Sequence, residues 1–127
     1  MHKSRLAGFI IDCKTDELEA AAEFWSAALG CPTKGSSAQA AGVYVGLETP
    51  PGDPYFEVQK VSHDSRIHLD IEANDIPAEV ARLERLGAKR IAAIRDWIVM
   101  EAPTGQRFCV VPVVRDGFEE KANNWQE

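Results

Sequence analysis

The chain has 127 residues, of which 45% are apolar and 27% charged, and its net charge is -6. These values are typical of one globular domain, or of two small halves that share a core. The acidic balance and the lack of any Lys/Arg run argue against a nucleic-acid partner, because phosphate recognition requires a basic face. No stretch approaches the ~20 apolar residues of a membrane span, and the first residues lack the apolar run of a signal peptide.

The first half of the chain predicts a strand, a helix and further strands. A buried strand is expected over 6–13, and a helix from an Asp16 cap to Leu29, where Gly30 ends it. Residues 34–41 are small and polar, which indicates a loop or a poorly packed edge strand. Alternating apolar residues predict strands over 43–47 and 55–61.

The second half begins with a strand over 66–73, in which apolar and polar side chains alternate with period two. Asn74 or Asp75 as the cap, with Pro77 in the first turn, predicts the start of a second helix, which ends at Gly87. Further strands are expected over 89–94, 97–101 and 107–113. Residues 114–127 are charged and amide-rich, which predicts a surface tail, either without regular structure or with a short helix.

The polar face of the strand over 66–73 carries His68 and Asp70 side by side. Imidazole and carboxylate groups bind metals and transfer protons, so this face lines a pocket or simply meets solvent. Asp70 and Asp12 stand at matching places before the two helices. Such aspartates either hold the turn or face each other across a cleft.

The same order, strand–helix–three strands, occurs twice, and short matches fall at corresponding places. Leu29-Gly30 and Leu86-Gly87 end the helices, and Ile11-Asp12 matches Leu69-Asp70. A duplicated unit of about 55 residues is the simplest explanation. We therefore predict an α+β fold of two βαβββ modules, with a cleft for a small-molecule ligand.

The chain resembles the vicinal oxygen chelate superfamily in its glyoxalase-like branch, which includes bleomycin-resistance-like proteins. The resemblance is carried by the order and spacing of several segments: the strand and helix ending in Phe24-Trp25-Ser-Ala-Ala-Leu-Gly30, then Val58-Gln59-Lys60-Val61, Arg66-Ile-His68-Leu-Asp70-Ile, Ala81 to Ala88, and Pro103 to Val110.

The resemblance implies tandem βαβββ modules whose mixed sheets curl into a half-open barrel of the glyoxalase/dihydroxybiphenyl dioxygenase type. It places the modules at about 5–62 and 66–113 of a single domain, 1–113, followed by a tail over 114–127. It also implies a concave pocket for a small oxygenated metabolite and a homodimer. The activity would be that of a lyase, an isomerase or a dioxygenase-like enzyme; the alternative is metal-free sequestration of a small molecule or antibiotic.

The cofactor implied by the resemblance is a divalent metal, Zn, Ni, Mn or Fe. His68 and Gln59 match expected ligand positions, whereas Cys109 stands where the family usually has Glu. On the first strand the match falls on residues 8–10, whose side chains cannot ligate. This incomplete set favours metal-free binding or altered chemistry over lactoylglutathione lyase activity, and it leaves open whether the protein is an enzyme.

Several side chains have both a structural and a functional interpretation. Glu57 and Gln59 form a polar strand face or contact a ligand; Cys109 is a buried apolar residue or a site residue; Trp97 packs in a core or dimer contact, or forms a wall of the pocket. The predicted site consists of catalytic His68 and Asp70, pocket residues Asp12, Glu57, Gln59, Trp97 and Cys109, and metal ligands His68 and Gln59.

The three cysteines, Cys13, Cys31 and Cys109, are far apart and form no C-x-x-C pair. They make a poor disulfide framework and fit a reducing compartment. We therefore expect a cytoplasmic protein without a membrane partner.

Overall fold

Both halves of the chain adopt the predicted strand–helix–three-strand order. The computed structural model describes residues 1–36 and 43–126, and the chain divides into two compact units. The N-terminal unit is Gly8–Ile67, and the C-terminal unit combines Met1–Ala7 with His68–Glu127. Strand β1, His2–Lys14, contributes residues to both units.

The N-terminal unit is a mixed sheet covered by one helix. Its strands follow the order β2-β3-β4-β1, in which β1 and β4 are parallel and the other neighbours are antiparallel. The strand predicted over 55–61 is confirmed, and the one predicted over 43–47 begins one residue later. The loop or edge strand predicted over 34–41 is a strand at its start, and residues 37–41 lie outside the described residues. The element bounds are β1 His2–Lys14, α1 Leu18–Leu29, β2 Thr33–Ser36, β3 Tyr44–Leu47 and β4 Tyr55–Val61.

Helix α1 packs through Leu18 and Ala22, which are buried against strand residues in the core of the N-terminal unit. The predicted cap at Asp16 is wrong: Glu17 is the N-cap, and within the described residues it makes no side-chain capping bond. The Glu17 N–H instead donates to the hydroxyl of Thr15 at 2.9 Å. Gly30 ends the helix in the left-handed conformation, with φ of 70°.

The C-terminal unit repeats this architecture. Its strands follow the order β5-β8-β7-β6, with β5 and β8 parallel and the remaining neighbours antiparallel. The Asp75 side chain caps α2 by accepting from the Ala78 N–H at 3.0 Å, as predicted. The element bounds are β5 Arg66–Ala73, α2 Ile76–Arg85, β6 Lys89–Ile94, β7 Trp97–Glu101 and β8 Arg107–Pro112.

The core of the C-terminal unit forms between α2 and its sheet. Val80 and Leu83 of the helix pack with Ala73, Met100 and Val110, which are all buried. Each unit therefore buries one face of its strands under one helix, as expected for a βαβββ module. The predicted α+β class is confirmed.

The segment after β8 contains helix α3, Phe118–Lys121, and strand β9, Asn123–Trp125. Strand β9 pairs antiparallel with residues His2–Ser4 of β1. The Trp125 indole N–H donates to the Ser4 hydroxyl at 2.8 Å, and the guanidinium of Arg82 lies 3.8 Å from the indole ring centroid. These contacts attach the segment to both β1 and α2.

Helices of the described part of the chain are too short or too polar to cross a bilayer.

Candidate functional site

Three side chains of the C-terminal unit converge on one point. His68 and Asp70 are two residues apart on β5 and therefore share a face, and Cys109 of β8 is the register partner of Asp70. The Nε2 atom of His68 lies 3.6 Å from Oδ1 of Asp70. One donor atom from each residue lies within 4.8 Å of the other two. We call these three residues the His–Asp–Cys cluster.

The cluster belongs to an enclosed polar face. Asp70 is 7% exposed and Glu72 is fully buried, whereas Ile67 and Leu69 on the opposite face of β5 are 59% and 43% exposed. Further along the strand the apolar face is also buried, because Ile71 and Ala73 pack in the core under α2. Burial of a polar face favours groups with specific partners, because an isolated buried charge is strongly unfavourable.

Glu72 has its own partners. Its carboxylate accepts hydrogen bonds from Nε of Arg5 at 2.6 Å and Nε of Arg115 at 3.2 Å. It also accepts from the backbone N–H groups of Val114 and Arg115 at 2.9 and 3.2 Å. Sequence reasoning placed Glu72 on the polar face of the strand but did not identify this network. Its partners are distant in sequence, and a strand pattern carries no information on them.

The donors of the His–Asp–Cys cluster fit a divalent cation. Nitrogen, oxygen and sulfur ligands at about 2.0–2.3 Å from a zinc ion lie about 3.3–3.8 Å apart. The His68–Asp70 separation of 3.6 Å matches this spacing, and the donor atoms of all three residues lie within 4.8 Å of one another. Three protein ligands leave a coordination position for a substrate oxygen.

A second group of polar residues lies in the N-terminal unit. Asp12 of β1 is the register partner of Gln59 on β4, and Gln59 is the partner of Tyr44 on β3. The Gln59 amide donates to the Tyr44 hydroxyl at 3.2 Å. We call these three residues the polar row. Glu57, the partner of Ile10 and Gly46, stands two positions before Gln59 on the same face.

Asp12 is buried at 2% exposure, and Nε of Arg66 lies 3.8 Å from its Oδ2 atom. The guanidinium of Arg66 also lies 3.3 Å from Nε2 of His63. Sequence reasoning missed both Tyr44 and Arg66 as site residues. The period-two pattern could have indicated them, since Arg66 precedes His68 by two positions and Tyr44 lies in a predicted strand.

The remaining candidates have plain structural surroundings. Trp97 is half-buried at the start of β7, where its register partner is Ile94. The pKa of the Cys13 thiol is raised, mainly by burial and to a smaller extent by the negative charge of Asp12. A hydrogen bond with Trp25 acts in the opposite direction but does not outweigh them. Cys13 is therefore a protonated thiol at neutral pH. None of the three cysteines forms a disulfide.

Two surface hollows are lined by other residues of the chain. One lies beside the start of α2 and includes Ile76 and Pro112. The other lies at the ends of β1 and β4 and includes Lys14 and Lys60. Neither hollow is lined by a residue of the His–Asp–Cys cluster. The cluster is therefore identified by the distances between its donor atoms and not by a surface cavity.

Comparison with solved structures shows the fold of the chain. A methylmalonyl-CoA epimerase in complex with methylmalonyl-CoA and NH4+ matches with a TM-score of 0.61 at 13% identity, over 89% of this chain and 98% of that one. A hypothetical protein from Bacillus halodurans matches with a TM-score of 0.63 at 11% identity, over 90% and 97%. A Streptomyces coelicolor methylmalonyl-CoA epimerase variant with 2-nitronate-propionyl-CoA matches with a TM-score of 0.59 at 13% identity, over 88% and 97%.

Comparison with sequence families is more specific. No curated protein matches the sequence significantly. Residues 8–111 match the family model described as a glyoxalase-like domain, which covers most of both βαβββ modules. The chain therefore belongs to the glyoxalase-like domain family, within the vicinal oxygen chelate superfamily.

Proposed function

We propose that this protein binds a small oxygenated metabolite through a divalent cation held by His68, Asp70 and Cys109. The observation that supports the proposal is the convergence of one donor atom from each of these residues to within 4.8 Å. A bound cation would polarise a substrate oxygen and stabilise the negative charge that develops on it. Proton transfer next to a carbonyl, as in isomerases and lyases, is the reaction class that such polarisation favours.

A chelating cluster is proposed in preference to a nucleophilic relay, in which one imidazole nitrogen contacts a carboxylate while the other activates the nucleophile. Donor atoms of His68, Asp70 and Cys109 all lie within 4.8 Å of one another, and Nε2 of His68 lies 3.6 Å from Oδ1 of Asp70. Three donors this close together suit an ion at their centre.

The residues of the chain have distinct parts in this proposal. His68 supplies a neutral nitrogen ligand, Asp70 a carboxylate and Cys109 a sulfur. Asp12, Glu57, Gln59 and Trp97 stay predicted pocket residues. Within the N-terminal unit, Tyr44 contacts Gln59 and Arg66 contacts Asp12. The epimerases named above bind CoA esters, which contain a polarisable carbonyl, so carbonyl compounds are the first ligand class to test.

A second candidate function is metal-free binding of a small molecule. The polar row favours it, because the Gln59 amide and the Tyr44 hydroxyl can bind an oxygenated ligand by hydrogen bonds alone.

The prediction from the resemblance that Gln59 is a metal ligand is separate from this second candidate and stays a prediction.

Calorimetric titration of metal-free protein with Zn2+, Ni2+, Mn2+ and Fe2+ tests the first candidate. We expect stoichiometric binding of at least one cation by the unmodified protein, and loss of that binding in His68→Ala. His63→Ala is the matched control, because His63 is exposed and lies outside the cluster; it should bind like the unmodified protein.

Failure of the unmodified protein to bind any cation would overturn the first candidate. Thermal-shift measurements over a panel of carbonyl and hydroxy acid metabolites would then test the second. A ligand that stabilises the metal-free protein, and stabilises Gln59→Ala much less, would establish metal-free binding at the polar row.

The homodimer implied by the resemblance stays a prediction. Leu6 of β1 and Leu69 of β5 are 38% and 43% exposed, and such apolar side chains are suitable for an interface. Size-exclusion chromatography with light scattering would measure the mass directly, and a monomer mass at all concentrations would contradict the prediction.

A further inference from the structure

Cys109 differs from the other two cysteines in its surroundings. It is 8% exposed and stands beside Asp70 in the parallel β5–β8 register. The Cys13 and Cys31 thiols instead lie close to the carbonyl oxygens of Ile11 and Leu29, two residues earlier in the chain. Among the described residues, only Cys109 has both an imidazole and a carboxylate donor within 4.8 Å.

The chemistry of the three donors discriminates between cations. Mg2+, Ca2+ and Mn2+ prefer oxygen ligands, and Mg2+ requires six of them in near-octahedral geometry. A thiolate is a soft ligand that favours Zn2+ and chemically similar ions. One nitrogen, one oxygen and one sulfur donor form a set that zinc accepts and that magnesium does not.

The charges of the cluster also favour a bound divalent cation. The Asp70 carboxylate and a Cys109 thiolate together carry two negative charges, which a divalent cation neutralises. Both acidic groups are less than 10% exposed, so two buried negative charges without a cation would be strongly unfavourable. Cation binding should therefore be linked to loss of the Cys109 proton.

We propose that Cys109 is a thiolate ligand that makes the His–Asp–Cys cluster select zinc-type cations, Zn2+ and Co2+, over Mg2+ and Mn2+. This inference rests on the proposed function, because it assumes that the cluster holds a cation. It adds which class of cation is held and which side chain is responsible for the choice.

The test is the optical spectrum of Co2+ bound to the metal-free full chain. Sulfur coordination gives an intense near-ultraviolet charge-transfer band that oxygen and nitrogen ligands do not give. We expect this band in the unmodified protein, its disappearance on addition of Zn2+, and its persistence when excess Mg2+ or Mn2+ is added. Cys109→Ser should lose the band and more than about 100-fold in Zn2+ affinity, whereas Cys31→Ser should behave like the unmodified protein.

Calorimetry of the unmodified protein gives a second measurement that does not depend on how the variant folds. Zn2+ titrations in two buffers with different ionisation enthalpies report the number of protons released. We expect release of about one proton per cation, from the Cys109 thiol.

Each outcome distinguishes the two proposals. Co2+ binding without a charge-transfer band, no proton release, or equal affinity for Mg2+ and Zn2+ would overturn thiolate selectivity and leave the cation proposal standing. Failure to bind any cation would overturn both.

Discussion

The structural role of Glu72 on β5 depends on hydrogen-bond partners that are far from it in the sequence. It is fully buried and accepts hydrogen bonds from two arginines, Arg5 and Arg115, and from two backbone N–H groups. Its neighbours on the same face, His68 and Asp70, instead lie close to each other, with Nε2 of His68 3.6 Å from Oδ1 of Asp70. One strand face thus combines a structural ion-pair network with the candidate site.

Removal of the Glu72 carboxylate should be severely destabilising. Glu72→Ala would leave two largely buried guanidinium groups without their shared acceptor, which typically costs about 3–5 kcal/mol. Glu101→Ala removes a half-exposed ion pair with Arg107 and should cost less than about 1 kcal/mol. Urea denaturation of both variants measures the difference. Equal losses would mean that the Glu72 network contributes little.

Glu79 of α2 is, like Glu72, a fully buried carboxylate of the C-terminal unit. It accepts from the imidazole of His2 at 2.7 Å, the hydroxyl of Ser4 at 2.8 Å and, with both oxygens, the guanidinium of Arg82. Burial alone would raise the pKa of Glu79, but these hydrogen bonds and the charge of Arg82 outweigh it and lower the pKa below its ordinary value of 4.5.

This lowered pKa predicts an acid-sensitive fold. Because the unfolded chain binds the Glu79 proton at a higher pH than the folded chain, the stabilisation is complete above about pH 4.5 and is lost as the pH falls through the folded pKa. Glu79→Gln should lower the free energy of unfolding at neutral pH and flatten its decline in acid. Exposed Glu84 on the same helix gives the control Glu84→Gln, whose profile should follow the unmodified protein. Parallel pH profiles for Glu79→Gln and the unmodified protein would contradict the assignment.

At the scale of elements, the sequence pattern was most informative where hydrophobic periodicity was regular. Strands β4 and β5 have the predicted bounds because alternation alone identifies them. The start of α1 was mispredicted because Asp16 and Thr15 both resemble helix-starting residues, and only the backbone geometry decides which one bonds. The placement of Cys109 beside Asp70 depends on the parallel register of β5 and β8, which no local pattern encodes.

The turn between β6 and β7 contains Arg95 with a φ of 52°, a left-handed conformation that is unfavourable for most side chains. Asn tolerates this region well, so Arg95→Asn should stabilise the protein by a few tenths to about 1 kcal/mol. Arg95→Val should destabilise it, because β-branched residues are strongly disfavoured at positive φ. Thermal unfolding of the two variants gives the test, and equal midpoints would contradict the strained turn.

For the whole molecule, the segment after β8 is a stabilising part of the C-terminal unit. Phe118 of α3 is buried at 4% exposure, and Trp125 of β9 bonds to Ser4 and stacks with Arg82. The sequence predicted a surface tail here, without regular structure or with a short helix such as α3, because the segment is charged and lacks a regular apolar pattern. Its few apolar residues are isolated, and isolated residues give no periodic signal.

A chain that ends at Asp116 should therefore unfold more easily. Loss of the buried Phe118 alone typically costs about 3–5 kcal/mol, so we expect a clearly lower urea midpoint. Hydrogen exchange should show faster exchange in α2 and at His2–Ser4, with little change in the N-terminal unit. Trp125→Ala is the milder comparison variant. Unchanged protection of α2 in the shortened chain would contradict this stabilising role.

The parallel pairing of β5 with β8 has a thermodynamic consequence beyond the geometry of the site. Asp70 and Cys109 are about 40 residues apart in sequence, so a shared cation would act as a reversible cross-link that closes a long loop. The unfolded chain has no such preformed cage, and at about 100 times its dissociation constant the ion would add about 2.7 kcal/mol to stability. Chelating agents would then lower the stability of the fold itself, and the midpoint of unfolding would depend on the concentration of free cation.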